Sequence, residues 1–165
     1  MKPFGLAEVA VFVATLGCAL MAGLFFAFSV AVMKALGTLP PAHGIAAMQS
    51  INVEIINRWF FAAFFGTAAA CIIVVAVGLL RWNVAGSTFA VAGGLLYLVG
   101  TLLVTIIFNV PRNNALARAL PDSPDGAALW TDYLVAWTAW NHVRTVAALA
   151  ATGCLIVALV RSGRG

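Results

Sequence analysis

The stretch WFFAAFFGTAAACIIVVAVGLL, residues 59–80, carries no charged side chain and decides the fold class of this chain. An α-helix needs about 20 mainly apolar residues to cross the hydrocarbon of a bilayer, so this stretch can span it unaided. Further apolar runs lie at 9–33, 82–111 and 145–160. The last is about one turn too short, and we expect it to draw residues 140–144 into the membrane boundary or to let Arg161 snorkel.

The composition indicates the same class. Of 165 residues, 64% are hydrophobic and 8% charged, and the mean hydropathy is +1.06, outside the range of soluble domains. We predict a multi-pass integral membrane protein, an all-α four-helix bundle of up-down-up-down topology with a polar site at one membrane face. A single transmembrane domain over 1–165 is expected, with spans at about 8–33, 58–80, 86–108 and 141–161.

The charges argue against one class of partner. The formal net charge is +4, but the nine basic residues are scattered instead of forming a stripe, so we predict no nucleic-acid partner. The basic residues divide four to five between the two ends of the bundle, which leaves the orientation undecided; if Arg58 and Arg144 are drawn into a site, the count becomes four to three. The count then favours both termini inside, in a bacterial-type cell membrane.

Small residues recur at four-residue spacing in three spans, as at Ala62, Gly66 and Ala70. Such spacing lets helix backbones approach closely in lipid. We therefore expect a tightly packed bundle; the alternative is that the spacing reflects only the usual abundance of glycine and alanine in membrane helices. Partner helices, as in a possible homo-oligomer, would also suit these positions.

Strongly polar side chains crowd against one end of the apolar runs. They are Asn52, Glu54, Asn57 and Arg58, then the asparagines of 109–114, then Asn141, His142 and Arg144. Ionisable groups at membrane depth are costly and by default indicate function. Glu54 and Arg58 stand four residues apart and could equally pair with each other on a helix.

One helical face combines aromatic rings with polar groups. At 100° per residue, Trp130, Tyr133, Trp137, Asn141 and Arg144 fall within about 80° of one another. An aromatic ladder would therefore lead to an amide and a guanidinium. The alternative is an interfacial aromatic belt beside a snorkelling arginine.

His142 belongs to a different face. It lies about 100° around the helix from Asn141 and almost opposite Arg144. Histidine titrates near neutral pH and could serve as a general base, or it could be a structural hydrogen-bonding group.

The sequence NVPRNN at 109–114 closes the third apolar run, and Pro111 is expected to move Val110 out of helical geometry. The amides of Asn109 and Asn113 could satisfy the freed backbone groups or donate hydrogen bonds to a substrate oxygen.

We expect a helix from Pro41 to continue through Asn57 into the second span.

The last helix should begin near Gly126 or Ala127 and run to Val160.

Metal binding has little support in the pattern. Only two histidines are present, and Cys18, Cys71 and Cys154 lie in the apolar runs without metal-ligand spacing. We predict no metal site, although His43, His142 and Glu54 would make three ligands if their loops converged.

Several of these segments together resemble the anthrone oxygenase-like family of small four-helix membrane proteins, much of it catalogued as a domain of unknown function. The resemblance covers nearly the whole chain. It is carried by Gly23 with Phe26 and Phe28, by GIAAMQSIN at 44–52, by NVPRNNAL at 109–116, and above all by WTAWNHVRT at 137–145.

The resemblance implies oxidation of an aromatic polyketide-type substrate to a quinone with O₂, as in the conversion of an anthrone to an anthraquinone, with no cofactor. It implies His142 as the base and Arg144 as the anion stabiliser, the two catalytic residues. The candidate substrate-binding residues are Asn52, Asn57, Asn109, Asn113, Trp137 and Asn141. The partners expected are O₂, a small aromatic or lipidic molecule, and membrane lipids.

A second hypothesis is a non-enzymatic membrane module that binds a quinone, a lipid or a partner subunit at the same polar end. An oxygenase that uses His142 as base should lose turnover and keep its ligand when His142 is replaced. A transporter is disfavoured because the chain lacks internal repeats and paired intramembrane charges.

Overall fold

A computed structural model describes residues 5–163, and within that range the protein is built from five helices. They are α1 (Leu6–Gly37), α2 (Pro41–Glu54), α3 (Arg58–Leu80), α4 (Ser87–Ala117) and α5 (Pro124–Ser162). Helix α1 contains a π-helical stretch at Phe28–Val32, and α4 contains two, at Leu98–Leu103 and Thr105–Asn109.

Four of these helices, all except α2, are long and apolar enough to cross a membrane, with mean hydropathies of 2.1 to 2.5 over their most apolar windows. They pack as a ring in which α1 contacts α3 and α5, and α4 contacts the same two helices. The predicted all-α four-helix bundle is thereby confirmed, and its apolar helices are those of a multi-pass membrane protein.

Helix backbones approach most closely at certain glycines, but only some of the small residues in the sequence pattern lie at a helix–helix contact. A Cβ at Gly94 of α4 would lie 2.5 Å from Val75 Cγ2 and 3.0 Å from the Cys71 carbonyl oxygen on α3. By contrast, a Cβ at Gly66 of α3 would meet nothing within 4 Å. Close approach therefore depends on individual glycines that face a neighbouring helix.

The segment between α2 and α3 corrects one prediction. The helix that begins at Pro41 does not continue into the second span but ends at Glu54. Asn57 then caps α3, since its Oδ1 accepts hydrogen bonds from the amides of Trp59 (3.0 Å) and Phe60 (3.1 Å). An asparagine side chain that satisfies these free amides stabilises a new helix start. The guanidinium carbon of Arg58 lies 4.9 Å from the centre of the Trp59 ring, so Arg58 packs on its neighbour in the chain.

The prediction for Pro111 is also wrong. Val110 keeps helical dihedral angles (φ −60°, ψ −46°), and α4 continues through the proline to Ala117. The π-helical stretches lie immediately before it, and their wider turns accommodate a residue that has no amide proton. Arg112 supports this irregular turn by donating from Nη1 to the Phe108 carbonyl at 2.6 Å.

Helix α5 is the longest of the described helices and begins at Pro124, two or three residues before the predicted start at Gly126 or Ala127. Its 39 residues extend over about 58 Å, roughly twice the hydrocarbon thickness of a bilayer. Ser123 caps it by accepting a hydrogen bond from the Gly126 amide at 2.9 Å. The N-terminal half of α5 packs on α2 through a second apolar core, formed by Ile45, Met48, Leu116, Trp130 and Tyr133 among others.

The glycine contacts give a testable expectation for stability. Gly94→Ala should lower the free energy of unfolding by about 1 to 3 kcal/mol, because the added methyl overpacks the α3–α4 contact. Gly66→Ala is the matched control on the same helix pair and should be neutral or slightly stabilising, since alanine favours a helix over glycine. Equilibrium unfolding in detergent micelles measures both; equal effects would contradict the assignment of Gly94 to the interface.

Candidate functional site

A cavity opens where α3 and α4 part. The two helices are close along the glycine contacts, and Tyr97 of α4 still reaches α3 through a 3.0 Å hydrogen bond to the Phe64 carbonyl. Beyond this point, towards the α2 end of the bundle, the gap between them becomes a cavity of about 200 Å³. That is more than ten times the roughly 10–15 Å³ that admits one water molecule.

The walls of the cavity are mainly apolar and aromatic. Phe25 and Phe28 of α1 and Phe60 and Phe64 of α3 form much of the lining. Phe61 and Phe65 of α3, together with Ile106 and Val110 of α4, line it as well and are exposed on the outer surface of the bundle. The mouth therefore lies between two membrane-crossing helices, where an apolar molecule would reach it from the lipid.

Arg144 of α5 is the one charged side chain among the described residues that line the cavity, and it is only 5% exposed. Its guanidinium carbon lies 4.2 Å from the centre of the Phe25 ring and 5.1 Å from that of Trp137. Nη1 donates to Thr105 Oγ1 at 3.3 Å and Nη2 donates to Asn141 Oδ1. Aromatic faces and neutral oxygens thus surround this cation, and no acidic side chain joins them in the lining.

Asn141 holds Arg144 in place instead of facing the cavity. It is fully buried, and its Nδ2 donates to the Phe25 carbonyl and to Ser29 Oγ, both at 2.7 Å. With its Oδ1 bound to Arg144, the amide joins α1 to α5. Asn141, predicted to bind substrate, is not among the residues that line the cavity, and its polar atoms are paired within the protein.

Asn109 and Asn113 of α4 both reach across to α5. Asn113 Oδ1 accepts hydrogen bonds from the Tyr133 hydroxyl and from Trp137 Nε1, both at 2.8 Å. Asn109 Nδ2 donates to the Trp137 carbonyl at 3.2 Å. The sequence left open whether these amides satisfy backbone groups freed by Pro111 or bind a substrate; in the structure they pair with α5 and fix the wall that carries Trp137.

Three buried polar atoms of cavity-lining residues lack a hydrogen-bond partner. They are Arg144 Nε, Asn109 Oδ1 and Asn52 Nδ2, the last of which lies near the Tyr133 hydroxyl without meeting hydrogen-bond geometry. Buried polar groups are seldom left unpaired, because each costs about 1–3 kcal/mol. These two donors and one acceptor around an apolar cavity can pair with water or with the oxygen atoms of a ligand.

Of the eight predicted site residues, five line this cavity: Asn52, Asn109, Asn113, Trp137 and Arg144. Asn57 does not, because it is exposed and serves as the cap of α3. His142 does not either. It projects from the opposite side of α5 into a separate cleft with Lys34, as its angular distance from Arg144 along the helix requires.

Besides the apolar lining, sequence reasoning missed three residues that contact Arg144 or Asn141: Phe25, Ser29 and Thr105. Polar residues within a membrane helix tend to hydrogen-bond across to a neighbouring helix, and this was the available signal for Ser29 and Thr105. Thr105 also stands one turn before Asn109 on the same helix. Phe25 carried no such signal, because one phenylalanine in an apolar run looks like any other.

Within residues 5–163, no three His, Cys, Asp or Glu side chains come close enough to hold a metal ion together. His43, His142 and Glu54 accordingly do not converge. The groups that the cavity does offer are a guanidinium, amides and aromatic faces. They suit a flat molecule with oxygen substituents.

Comparison with known proteins places the chain in a family. A search of curated proteins and a search of solved structures each gave no match. The sequence model of the anthrone oxygenase family matches residues 56–154, which include α3, α4 and most of α5. The match covers more than half of the chain and contains Asn109, Asn113, Trp137 and Arg144, so this protein belongs to the anthrone oxygenase family.

Proposed function

We propose that this protein oxidises an aromatic, polyketide-type substrate to a quinone with O₂, inside the cavity between α3 and α4 and without a resident cofactor. The observation that carries the proposal is Arg144: a buried guanidinium, unpaired by any carboxylate, whose Nε remains free at the wall of an apolar cavity. Such a cation calls for an anionic or strongly electron-rich ligand.

The proposed substrate is an anthrone-type ring system. Its fused rings match the phenylalanine-lined walls, and its oxygens match the unpartnered atoms of Arg144, Asn109 and Asn52. Loss of a proton from the central methylene or its enol gives an anion whose charge resides largely on oxygen. A guanidinium in a water-poor site stabilises such an anion far more than water does.

The overall reaction converts the methylene to a carbonyl: one anthrone and one O₂ give one anthraquinone and one H₂O, so one oxygen atom of O₂ becomes the new carbonyl oxygen and the other becomes water. The substrate anion supplies the electrons, so the task of the chain is to stabilise the negative charge that develops on the substrate. O₂ dissolves well in hydrocarbon and shares the route that the lipid-facing mouth offers. The substrate proton leaves to water, because the described lining contains neither a carboxylate nor an imidazole.

The lack of a carboxylate or imidazole in the described lining favours the alternative, a membrane module that binds a quinone or a related aromatic molecule without turnover. A lining without a general base suffices for binding. The two functions differ in one measurement. An oxygenase consumes O₂ and forms quinone faster than autoxidation of the anthrone, whereas a binding module holds the compound and leaves that rate unchanged.

Arg144 is expected to control turnover. Arg144→Gln should lower kcat/KM by roughly 10²–10³, the usual effect of removing one group that stabilises a developing anion. Arg144→Lys should recover only part of this loss, because an ammonium cannot stack and donate as a guanidinium does. O₂ uptake and quinone absorbance in detergent measure both rates. Arg118→Gln, an exposed arginine remote from the lining, is the control; equal losses in the control would contradict the assignment.

The lateral mouth predicts a steric block. Ile106→Trp should fill it and slow turnover at least tenfold, with KM raised more than kcat lowered, because access and not chemistry is obstructed. Leu103→Trp is the matched control, since Leu103 is as exposed on the same helix but does not line the cavity. Steady-state kinetics in lipid nanodiscs test this, and an unaffected Ile106→Trp enzyme would place the access route elsewhere.

A substitution of His142 tests on which side of α5 the reaction takes place. If the reaction takes place in the cavity, His142→Gln should retain most of the wild-type turnover, because this side chain lies in the other cleft. Loss of turnover with retained substrate binding would instead support the base role that the family resemblance implied. The same O₂-uptake assay gives the answer.

A further inference from the structure

A second cleft lies between α1 and α5, on the opposite side of α5 from the cavity. It is shallow and has a volume of about 380 Å³. Lys34 near the end of α1 and His142 of α5 both line it, beside Thr138 and the apolar side chains of Met33 and Leu134. The proposed oxidation makes no use of this cleft.

The lining is complementary to negative charge. It contains an ammonium and an imidazole, both exposed, and none of its described residues is acidic. Thr138 Oγ1 is buried and has no hydrogen-bond partner. A threonine hydroxyl within a helix commonly donates to the carbonyl four residues earlier, as Thr145 and Thr152 do here. Thr138 therefore has a free donor in a cleft lined by basic side chains.

The depth of the cleft matches the headgroup region of a bilayer. His142 precedes Arg161 on the same helix by about 29 Å of helix rise, close to the roughly 30 Å of hydrocarbon in a typical membrane. With Arg161 at one boundary, His142 and Lys34 lie at the other. A charged ligand held there would remain among the headgroups.

An apolar surface continues from the cleft into the hydrocarbon. Val30 and Phe26 lie about one and two turns before Lys34 on α1, and Val146 lies about one turn after His142 on α5. All three side chains are exposed. A ligand with a polar head in the cleft would thus lay its apolar chains along these helices, which free phosphate cannot do.

We propose that this cleft binds the headgroup of an anionic phospholipid. The Lys34 ammonium pairs with the phosphate, and the His142 imidazole and Thr138 hydroxyl donate hydrogen bonds to its oxygens. Basic pockets between membrane helices recognise lipid headgroups in this way. Ser29 also lines the cleft and accepts the hydrogen bond of Asn141, so the lipid would lie beside the network that holds Arg144.

Native mass spectrometry of the delipidated full-length protein in a neutral detergent tests the proposal. Phosphatidylglycerol and phosphatidylcholine with identical acyl chains are titrated separately, and the first bound lipid is quantified. Phosphatidylglycerol should bind at least tenfold more tightly. Lys34→Gln should weaken it about fivefold, and Lys34→Gln with His142→Gln should abolish the preference for the anionic lipid.

Two further variants keep the test decisive. Gly37→Leu fills the cleft with both basic residues retained, since a Cβ there would contact Leu134 at 3.5 Å, and it should lower the affinity as well. Arg118→Gln, which removes an exposed cation outside the cleft, should leave the preference intact. A preference that survives both the double variant and Gly37→Leu overturns the proposal. So does displacement of the lipid by inorganic phosphate at equal concentration, which would identify a phosphate site instead.

Discussion

A guanidinium buried in a membrane bundle without a counter-ion is the constraint around which the rest of this structure is arranged. Arg144 must exchange water for contacts that offset several kcal/mol of desolvation. The protein supplies two aromatic faces, from Phe25 and Trp137, and two neutral oxygens, from Thr105 and Asn141. These groups come from α1, α4 and α5, so the cation can be stabilised only when three of the four membrane-crossing helices are assembled.

The aromatic wall depends on the same helices. Trp137 stacks near Tyr133, with ring centres 6.0 Å apart, and both donate to Asn113 Oδ1. A single amide from α4 thereby fixes two rings of α5. Helix α2 covers this arrangement from the outside through Met48 and Ile45. The site is thus rigid on its α5 side, whereas its open side lies between α3 and α4.

The sequence predicted what periodicity and polarity determine. The four apolar runs, the shared face of Trp137, Asn141 and Arg144, and the divergence of His142 from that face all follow from spacing along a helix. Spacing did not predict the break before Asn57 or the continuation of α4 through Pro111. The Asn57 side chain caps a new helix, and π-helical turns accommodate the proline, so neither segment follows the pattern expected from its residues alone. The cavity could not be predicted from the sequence. It arises where α3 and α4 separate, and the relative orientation of two helices is not encoded in either segment alone.

Under the proposed function, the mouth between Phe61, Phe65, Ile106 and Val110 makes the bilayer the solvent from which the substrate reaches its site. Binding then depends on the mole fraction of the compound in the surrounding lipid, not on its concentration in water. A sparingly soluble aromatic molecule accumulates in the membrane, so a site of modest intrinsic affinity can still be well occupied. Apparent dissociation constants should accordingly scale with the amount of lipid or detergent in the sample.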